Sequence, residues 1–345
     1  MTLNASVDTV APARATTKAV GSRRKSAPSP WKTPNPNKKA EKRADTGIRA
    51  LNGRWGYLFT APFFAVFLIF AFVPIIYSIY IAFFEWDALG GTDNQFIGLG
   101  NFVELVGDPR FWNALTNTFS IWFISTIPQL FISIGLAVVL RNTVLKGQTF
   151  WRTILLLPNI TSVIAVSMVF GQMFDKDFGL VNQAIGLFGF APINFLEDTF
   201  ASHVAIGTMI LWRWSGYNAL IFLASMLAIP NELYESASLD GASKWQQFWF
   251  VTLPQLRNTI TFVLIMGTIG GLQVFAEPLT FGGGQYNGGD NRQFSTLTLF
   301  LFETAFQEVR WGYAAAVGIM ITFIVLIISA INFALTRRIA SEDSK

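Results

Sequence analysis

The chain has 345 residues, of which 52% are hydrophobic and only 13% are charged, whereas an ordinary soluble domain is about a quarter charged. This composition excludes a soluble globular protein and predicts an all-α polytopic membrane protein. The net charge of +4 conceals an asymmetry, because residues 1–50 hold 11 Lys and Arg against 3 Asp and Glu. The chain has no cysteine, which excludes disulfides, thiolate metal sites and cysteine nucleophiles.

Residues 1–54 form a basic tail that is rich in Pro, Ala, Ser, Thr, Lys and Arg. With so little to bury, this composition predicts disorder. Its positive charge indicates contact with anionic lipid on the cytoplasmic face, and nucleic-acid binding is disfavoured because no folded recognition module accompanies it. The apolar run that follows, 56–84, is too long for a cleavable signal peptide and predicts a membrane anchor that is retained.

Six nearly uncharged runs are each long enough to cross a hydrocarbon core of about 30 Å. They predict six transmembrane helices, at 56–84, 117–140, 153–174, 204–229, 258–276 and 312–335. Prolines are tolerated inside membrane helices, where neighbouring groups re-satisfy the backbone, and these runs contain Pro62, Pro74, Pro128 and Pro158. The sequence has no evident internal repeat, so an inverted-repeat secondary transporter gains no support.

The segments between the predicted spans alternate in charge. The tail, the links 141–152 and 230–257 and the end after Leu335 together hold 20 Lys and Arg, whereas the alternate segments hold four. By the positive-inside rule both termini, including the end 339–345, are predicted to be cytoplasmic. The outward-facing segments are then 85–116, 175–203 and 277–311.

The cytoplasmic link after the fourth span has a helical pattern of its own over residues 232–251, here called the finger. Asn231 is predicted to cap a helix over Glu232–Leu239, Asp240 to cap the next helix, and Gly241 to form the bend between them. The second helix, 242–251, is expected to end at Pro254, and its apolar face comprises Ala242, Trp245, Phe248 and Trp249. From the pattern alone, this face meets either lipid or a protein partner.

The finger resembles the E-A-A…D-G-A…F…L-P motif of the inner-membrane permease subunits of bacterial binding-protein-dependent ABC importers. The motif residues are Glu235-Ser236-Ala237, Asp240-Gly241-Ala242, Phe248 and Leu253-Pro254, with Ser236 in place of the usual Ala. Other segments resemble the carbohydrate-type permeases of this family: Leu58–Pro74, Tyr77–Trp86, Gly98–Phe102, Asp108-Pro109, Phe111-Trp112, Asn117-Thr118, Arg152, Leu157–Asn159, Gly282–Gly284 and Trp311–Ala314. The resemblance covers about residues 55–338.

The resemblance implies a type I ABC importer permease fold for this region, in a bacterial cell membrane. Such a subunit pairs with a second homologous permease, rests on two ABC ATPase subunits or domains and receives sugar from an extracytoplasmic binding protein. The ATPase-coupling residues that it implies are Glu235, Ala237, Asp240, Gly241, Ala242, Phe248 and Pro254. The subunit is expected to be non-catalytic and to bind no cofactor or metal. ATP and Mg are expected to serve the partner ATPase, because this chain has no G-x-x-x-x-G-K-[ST] phosphate loop.

Arg213 is the one charge inside a predicted span away from its edges. A central Arg costs about 2.5–3.5 kcal/mol on insertion scales, so it should have a partner or face a cavity. If it faces a sugar pathway, the candidate path residues are Asn159, Trp212, Arg213, Trp214, Tyr217, Asn218, Gln273 and Glu277. The favoured alternative is a structural ion pair with Glu277, or snorkelling to the outer surface, since Arg213 lies in the outer half of its span.

The intramembrane amides Gln129, Asn159, Asn218 and Gln273 either bind sugar hydroxyls or join helices, and joining is favoured. His203 is the only histidine and lies at the outer membrane edge, which argues against catalysis or metal binding.

Two other classes of function stay open. An ion-coupled secondary transporter of small polar solutes is the alternative, although such a protein normally buries Asp, Glu or His in its spans. A membrane enzyme such as a glycosyltransferase would need paired carboxylates or a metal cluster near a membrane face. The acidic pairs Asp175/Asp177 and Glu197/Asp198 have the pattern of solvated loops.

The segment Gln273–Phe281, with Arg292-Gln293-Phe294, bears on the substrate. It resembles permeases for cellobiose and related β-glucosides more than those for maltose or glycerol phosphate.

Overall fold

The computed structural model describes residues 57–86, 94–141 and 146–342, with side chains up to residue 334. The predicted tail 1–54 lies outside the described residues, as do residues 343–345 of the predicted C-terminal end. The chain divides into two compact units, Met1–Ile69 and Phe70–Lys345. The described residues of the first unit, 57–69, are helical, and their side chains are exposed.

Helices account for most of the described residues, as the apolar composition predicts. In chain order they are α1 (Tyr57–Ile81), α2 (Gly100–Gly107), α3 (Pro109–Arg141), α4 (Gln148–Ile160), α5 (Val163–Met173), α6 (Leu180–Leu187), α7 (Thr199–Leu227), α8 (Asn231–Leu239), α9 (Lys244–Gln247), α10 (Arg257–Leu272), α11 (Ala276–Phe281), α12 (Leu297–Gln307) and α13 (Trp311–Glu342). Wider π-helical turns occur at Leu68–Phe72, Phe248–Thr252 and Glu303–Gln307.

Two short strands depart from the all-α prediction. Strands β1 (Phe84–Glu85) and β2 (Gln95–Phe96) pair antiparallel, with Phe84 opposite Phe96 and their ring centroids 5.3 Å apart. Aromatic cross-strand pairs of this kind stabilise a local ladder. The segment after α1 therefore contains a short antiparallel ladder that hydropathy did not indicate.

Three helices are long and apolar enough to cross a membrane by length and composition: Tyr57–Ile81, Pro109–Arg141 and Trp311–Ala334. The bent pair α4 and α5 makes a fourth if it counts as one span. The predicted span 204–229 begins inside α7, which has 29 residues, and extends past the end of that helix at Leu227. The predicted span 258–276 extends past α10, which has 16 residues and ends at Leu272. The count of six spans therefore stays a prediction.

The predicted span 153–174 is broken rather than straight. Helices α4 and α5 meet at 90°, and the backbone is extended at Thr161 and Ser162, with ψ of 144° and 128°. Pro158 lies in the last turn before this break and lacks a backbone N–H, so the helix is weakened there. Thr161 Oγ1 donates to the Leu157 carbonyl at 2.7 Å, which satisfies one acceptor at the end of the helix.

Helices α3 and α7 pack along much of their length and form the centre of the second unit. Glycines permit close approach here. An added Cβ at Gly207 would lie 2.8 Å from Ile124 Cγ2, and one at Gly216 would lie 1.9 Å from the Leu155 carbonyl oxygen of α4. In α10 the close contact is at Gly271, where an added Cβ would lie 2.5 Å from Trp122 Cδ1.

Two buried asparagines within the motif-like segments bond the irregular segments to the helices. Asn101, which is buried, donates to the carbonyls of Ala82 and Phe84 at 2.8 and 3.0 Å. Asn117 donates to the carbonyls of Arg292 and Ser295 at 2.8 and 3.1 Å. These asparagines satisfy backbone acceptors that the irregular segments leave open.

An ion-pair cluster lies at the N-terminal end of α3. Arg110 pairs with Asp108 at 2.9 Å and with Glu308, while Arg310 pairs with Glu104 at 2.6 Å. Partial burial raises the pKa of Asp108, but hydrogen bonds from Arg110 and Tyr313 and the charge of Arg110 outweigh it, so this pKa lies below its ordinary value of 3.8. The hydrogen bond to Glu104 raises the pKa of Arg310, although partial burial opposes it.

Candidate functional site

The bend of the finger is a Schellman turn, in which the glycine after a helix takes a left-handed conformation. Gly241 has a φ of +83°. The Ala242 N–H donates to the Ala237 carbonyl at 2.9 Å, and the Gly241 N–H donates to the Ser238 carbonyl at 3.1 Å. This pairing satisfies two carbonyls at the end of α8. The expected glycine bend is present. Within the family motif, Ala237 supplies one carbonyl acceptor, and Gly241 and Ala242 supply the two N–H donors.

The helix caps of the finger differ from the sequence prediction. Pro230, rather than Asn231, stands at the N-cap of α8, and Asp240 is the C-cap of α8 rather than the N-cap of α9. The N-cap of α9 is Ser243, which forms a capping box with Gln246. A Ser with Gln three residues later is a recognised sequence signal, so this cap could have been predicted.

Pro254 does not end the second helix of the finger, as the sequence analysis expected. The chain passes from α9 through the π turn Phe248–Thr252 into Leu253–Gln255, with Pro254 in the first turn of that segment. In a first turn the missing N–H of proline would have no helical partner in any case, so Pro254 is accommodated.

Hydrogen bonds between the helices of the finger hold it together. The buried Gln247 side chain donates to Ser238 Oγ at 2.8 Å and to the Ala242 carbonyl at 3.1 Å. The hydroxyls of Tyr234 and Thr252 lie 3.0 Å apart. Sequence reasoning missed these residues, because no residue-type pattern marks an isolated Gln or Tyr as a link between helices.

The finger exposes several large apolar side chains. Leu239, Trp245 and Phe250 are 90%, 68% and 79% exposed. Trp245, Phe248 and Trp249 form a packed aromatic group with ring centroids 5.6 to 5.9 Å apart. Phe248 is half-buried and also packs against the core cluster at the ends of α3, α7 and α10, so it anchors the finger. Of the motif residues, Glu235, Asp240 and Pro254 are exposed, and Ala237 and Ala242 are half-buried.

A cleft of about 840 Å³ lies between the finger and the end of α3. Arg141 and Lys244 line it together with Tyr234 and Glu235. The Arg141 guanidinium lies over the Tyr234 ring, 4.2 Å from its centroid. This cation–π contact joins α3 to α8 directly.

The second candidate region surrounds Arg213 in α7. Arg213 Nη1 donates to Glu277 Oε1 at 2.6 Å, with side chains 14% and 9% exposed. The ion pair expected from the sequence is therefore present, and it joins α7 to α11. Among the described residues, Arg213 Nε is a buried donor without a hydrogen-bond partner.

The other predicted path residues lie in several surroundings. Trp212 packs on Phe170 with centroids 5.6 Å apart, and Trp214 meets Tyr217 edge to face at 5.9 Å. Asn218 is buried in α7, Asn159 is half-buried in α4, and Gln273 is the exposed C-cap of α10. Whether they line a sugar pathway stays a prediction. Gln129 is buried in α3.

His203 is a structural link in this chain. It is 3% exposed, with Nδ1 2.8 Å from Ser120 Oγ and Nε2 2.8 Å from the Gln293 carbonyl oxygen. The imidazole thus joins α3 and α7 to the segment between α11 and α12. Within the described residues, no group of three or more His, Cys, Asp and Glu side chains could hold a metal ion.

The sequence and fold of this chain are similar to those of known transport proteins. Residues 97–341 match the model of the family described as binding-protein-dependent transport system inner membrane component. The chain is 37% identical to the lactose transport system permease protein LacF of Rhizobium radiobacter, over 81% of this chain and 92% of that protein. It is 33% identical to the arabinooligosaccharides transport system permease protein AraP of Bacillus subtilis (strain 168), over 83% and 90%.

The fold is also that of a solved transporter. A chain of a bacterial ABC transporter involved in the import of the acidic polysaccharide alginate superposes with a TM-score of 0.67 and 24% identity, over 86% of this chain and 99% of that chain. The family model and the two relatives confirm the family resemblance that the sequence indicates. This chain belongs to the family of inner membrane components of binding-protein-dependent transport systems.

Proposed function

We propose that this chain is the non-catalytic permease subunit of an ATP-driven importer of a di- or oligosaccharide. It forms half of a translocation path with a second homologous permease, and a separate ATPase hydrolyses ATP with Mg²⁺. An extracytoplasmic binding protein delivers the sugar. Family membership and the sugar permeases among the relatives support the sugar assignment.

The observation that carries the coupling role is the construction of the finger. Its two helices are locked by the Gly241 turn and by Gln247, while Leu239, Trp245 and Phe250 remain exposed. A short, internally bonded element fastened through Phe248 moves as a rigid body with the helices that it packs against. We propose that an ATPase cleft covers these exposed side chains. Closure of the ATPases then moves the finger, and the finger moves the spans.

The decisive experiment replaces Gly241 with Val in the complete importer, reconstituted in vesicles with both permeases, the ATPase and the binding protein. The left-handed φ of Gly241 is strained for a side chain, but a Cβ there meets no atom of this chain within 4 Å. Strain in the turn and bulk in the docking cleft should uncouple ATP hydrolysis from sugar uptake while leaving the spans inserted. Substrate-stimulated ATPase activity and uptake are measured together.

Gly189→Val is the matched control, because Gly189 has a φ of +79°, is equally open and lies in a predicted outer segment. It carries the same backbone strain away from the finger and should leave coupling unchanged. Coupled transport by Gly241→Val at wild-type abundance would exclude the mechanism and assign the finger to the lipid surface.

The orientation belongs to the same proposal: both termini and the finger are cytoplasmic. Reporter fusions at Asp93, Asp198 and Asn287 should report outside, and fusions at Lys146, Lys244 and Lys345 should report inside. A cytoplasmic signal at Asn287 would overturn the assignment.

For the sugar, the resemblance of Gln273–Phe281 makes cellobiose the first candidate. The purified binding protein should bind cellobiose from a panel that also holds lactose, maltose and glycerol phosphate, and uptake by the complete importer should follow the same order. Preference for maltose would contradict the candidate.

An ion-coupled transporter is not favoured, because the family is one of binding-protein-dependent transport. Uptake driven by an ion gradient without ATP would restore that alternative.

A further inference from the structure

The segment between α5 and α7 is folded with its polar contacts inside. Asn182 is 6% exposed. Its Nδ2 donates to the carbonyls of Asp175, Lys176 and Ile193 at 3.1, 3.1 and 2.8 Å, and its Oδ1 accepts from the Ile193 N–H at 2.9 Å. One side chain therefore contacts backbone groups up to 11 positions away and gives the segment a defined shape.

Large apolar side chains cover the outside of this segment. Phe178, Leu187, Phe188 and Phe190 are 85%, 87%, 80% and 71% exposed. These four residues are called the α6 surface below. Val181 and Ile185 of α6 are apolar as well and pack against the buried core. A segment that satisfies its polar groups internally and presents aromatic rings outward is suited to an apolar medium rather than to water.

An apolar depression of about 370 Å³ adjoins the α6 surface. Its lining is made up entirely of apolar residues: Met173, Leu180, Val181, Ala184, Ile185 and Phe188. Such a groove has no polar group to orient a sugar or a charged ligand, whereas an acyl chain requires none. Its position beside the end of α5 places it next to a predicted span.

The charge pattern favours lipid over a protein partner. No charged residue occurs between Asp177 and Glu197, while Asp175, Lys176 and Asp177 precede this stretch and Glu197 and Asp198 follow it. This uncharged stretch offers no charges to select a protein partner, whereas Phe and Leu side chains are readily buried at the membrane interface. The segment also joins two predicted spans, 153–174 and 204–229, so both of its ends lie at membrane level.

We propose that the α6 surface is immersed in the interfacial region of a phospholipid leaflet and takes an acyl chain in its groove. That this is the outward-facing leaflet rests on the orientation proposed above. The lipid contact itself does not depend on orientation, on the sugar or on the coupling role of the finger.

The absence of cysteine provides a direct test, because a single introduced cysteine has no background in this chain. Leu187→Cys and Phe190→Cys are spin-labelled, assembled with the partner permease, ATPase and binding protein, and placed in vesicles of phosphatidylethanolamine and phosphatidylglycerol. Collision rates with oxygen, which concentrates in lipid, and with a water-soluble nickel chelate are compared. The matched controls are Lys176→Cys and Glu197→Cys, at exposed positions on either side of the stretch.

Labels at 187 and 190 should collide more with oxygen and less with the nickel chelate than the labels at 176 and 197. Frequent collision with the nickel chelate at 187 and 190 would place the surface in water and overturn the proposal. Protection from both reagents would place it in a protein interface and overturn it equally. A membrane-impermeant thiol reagent on Lys176→Cys reports the side separately, so a wrong orientation and a wrong lipid contact give different results.

Discussion

The finger and the Arg213–Glu277 pair show two ways in which this chain builds a polar structure. The hydrogen bonds described for the finger join residues that are close in sequence, and the widest of them, Tyr234 to Thr252, spans 18 positions. Arg213 and Glu277 are 64 positions apart, and His203 and Gln293 are 90 apart. The finger is therefore specified by local turn and cap chemistry, whereas the membrane pair exists only when α7 and α11 come together.

The largest expected effect comes from breaking the long-range pair. Arg213→Ala leaves Glu277 as a buried, unpaired carboxylate, which should lower the free energy of unfolding by about 3–5 kcal/mol. Glu277→Ala should act similarly, and the double variant should be less impaired than the sum of the two. The amount of assembled complex is measured by size-exclusion chromatography. Normal assembly with lost transport would instead place Arg213 on the substrate path.

A second long-range contact can be tested through backbone packing alone. Gly216→Ala puts a methyl group 1.9 Å from the Leu155 carbonyl oxygen, so α4 and α7 must separate. Overpacking of this kind should cost about 1–3 kcal/mol. Gly135→Ala in α3 is the control, because a Cβ there meets nothing within 4 Å. Equal melting temperatures for the two variants would contradict the close approach of the helices.

The local construction of the finger should respond to Gln247→Ala. The change removes the donor to Ser238 Oγ and to the Ala242 carbonyl, which should lower the local opening free energy of α8 and α9 by about 1–2 kcal/mol. Hydrogen exchange of residues 231–247 measures it, with Gln255→Ala, at an exposed position, as the control. Faster exchange that spread into α7 would show that the finger is not an independent local unit.

The ion-pair cluster of Asp108 and Arg110 combines a local contact with contacts between distant segments. Its effect on stability should be smaller and should depend on pH. Because the pKa of Asp108 is lowered in the folded protein, its contribution to stability is complete above the ordinary value of 3.8 and is lost as the pH falls through the folded pKa. The contribution should be at most about 1 kcal/mol for this partly exposed pair. Asp108→Asn should flatten this part of an acid unfolding profile, and an unchanged profile would argue against the pairing.

The smallest effect is expected from removing residues 1–50, which lie outside both regions and outside the family resemblance. The composition of this segment predicts no core, so sugar uptake per inserted molecule should be unchanged, although membrane abundance falls somewhat. Loss of transport by a normally inserted truncation would reveal a role for the tail.

Much of the candidate site could be predicted from the sequence where the signal was local. The Gly241 bend and the first helix of the finger follow from residue types within a few positions of one another. The cap at Ser243 is equally local, but its Ser-x-x-Gln signal competes with the Asp-Gly pair at Asp240. The residue pattern predicts a helix end at Pro254 because it does not indicate a π turn, in which one extra residue shifts the hydrogen-bond register.

The pairing of Arg213 with Glu277 was one of several open possibilities, since a charge in an apolar span requires a partner but does not identify it. The links made by Asn101, Asn117 and His203 could not be predicted, because each donates to or accepts from groups brought near only by helix packing.

The sequence by itself determined that this is a helical membrane protein with long apolar helices and that a motif-bearing finger follows α7. These features depend on composition and on residues that are near one another in the sequence. Such residues set the local hydropathy and the hydrogen bonds of helices and turns. Only the tertiary structure decided the 90° break between α4 and α5, the close contact of Gly216 with Leu155 and the partner of Arg213. The reason is physical: these features depend on which helix surfaces meet, and packing between distant segments has no local residue pattern.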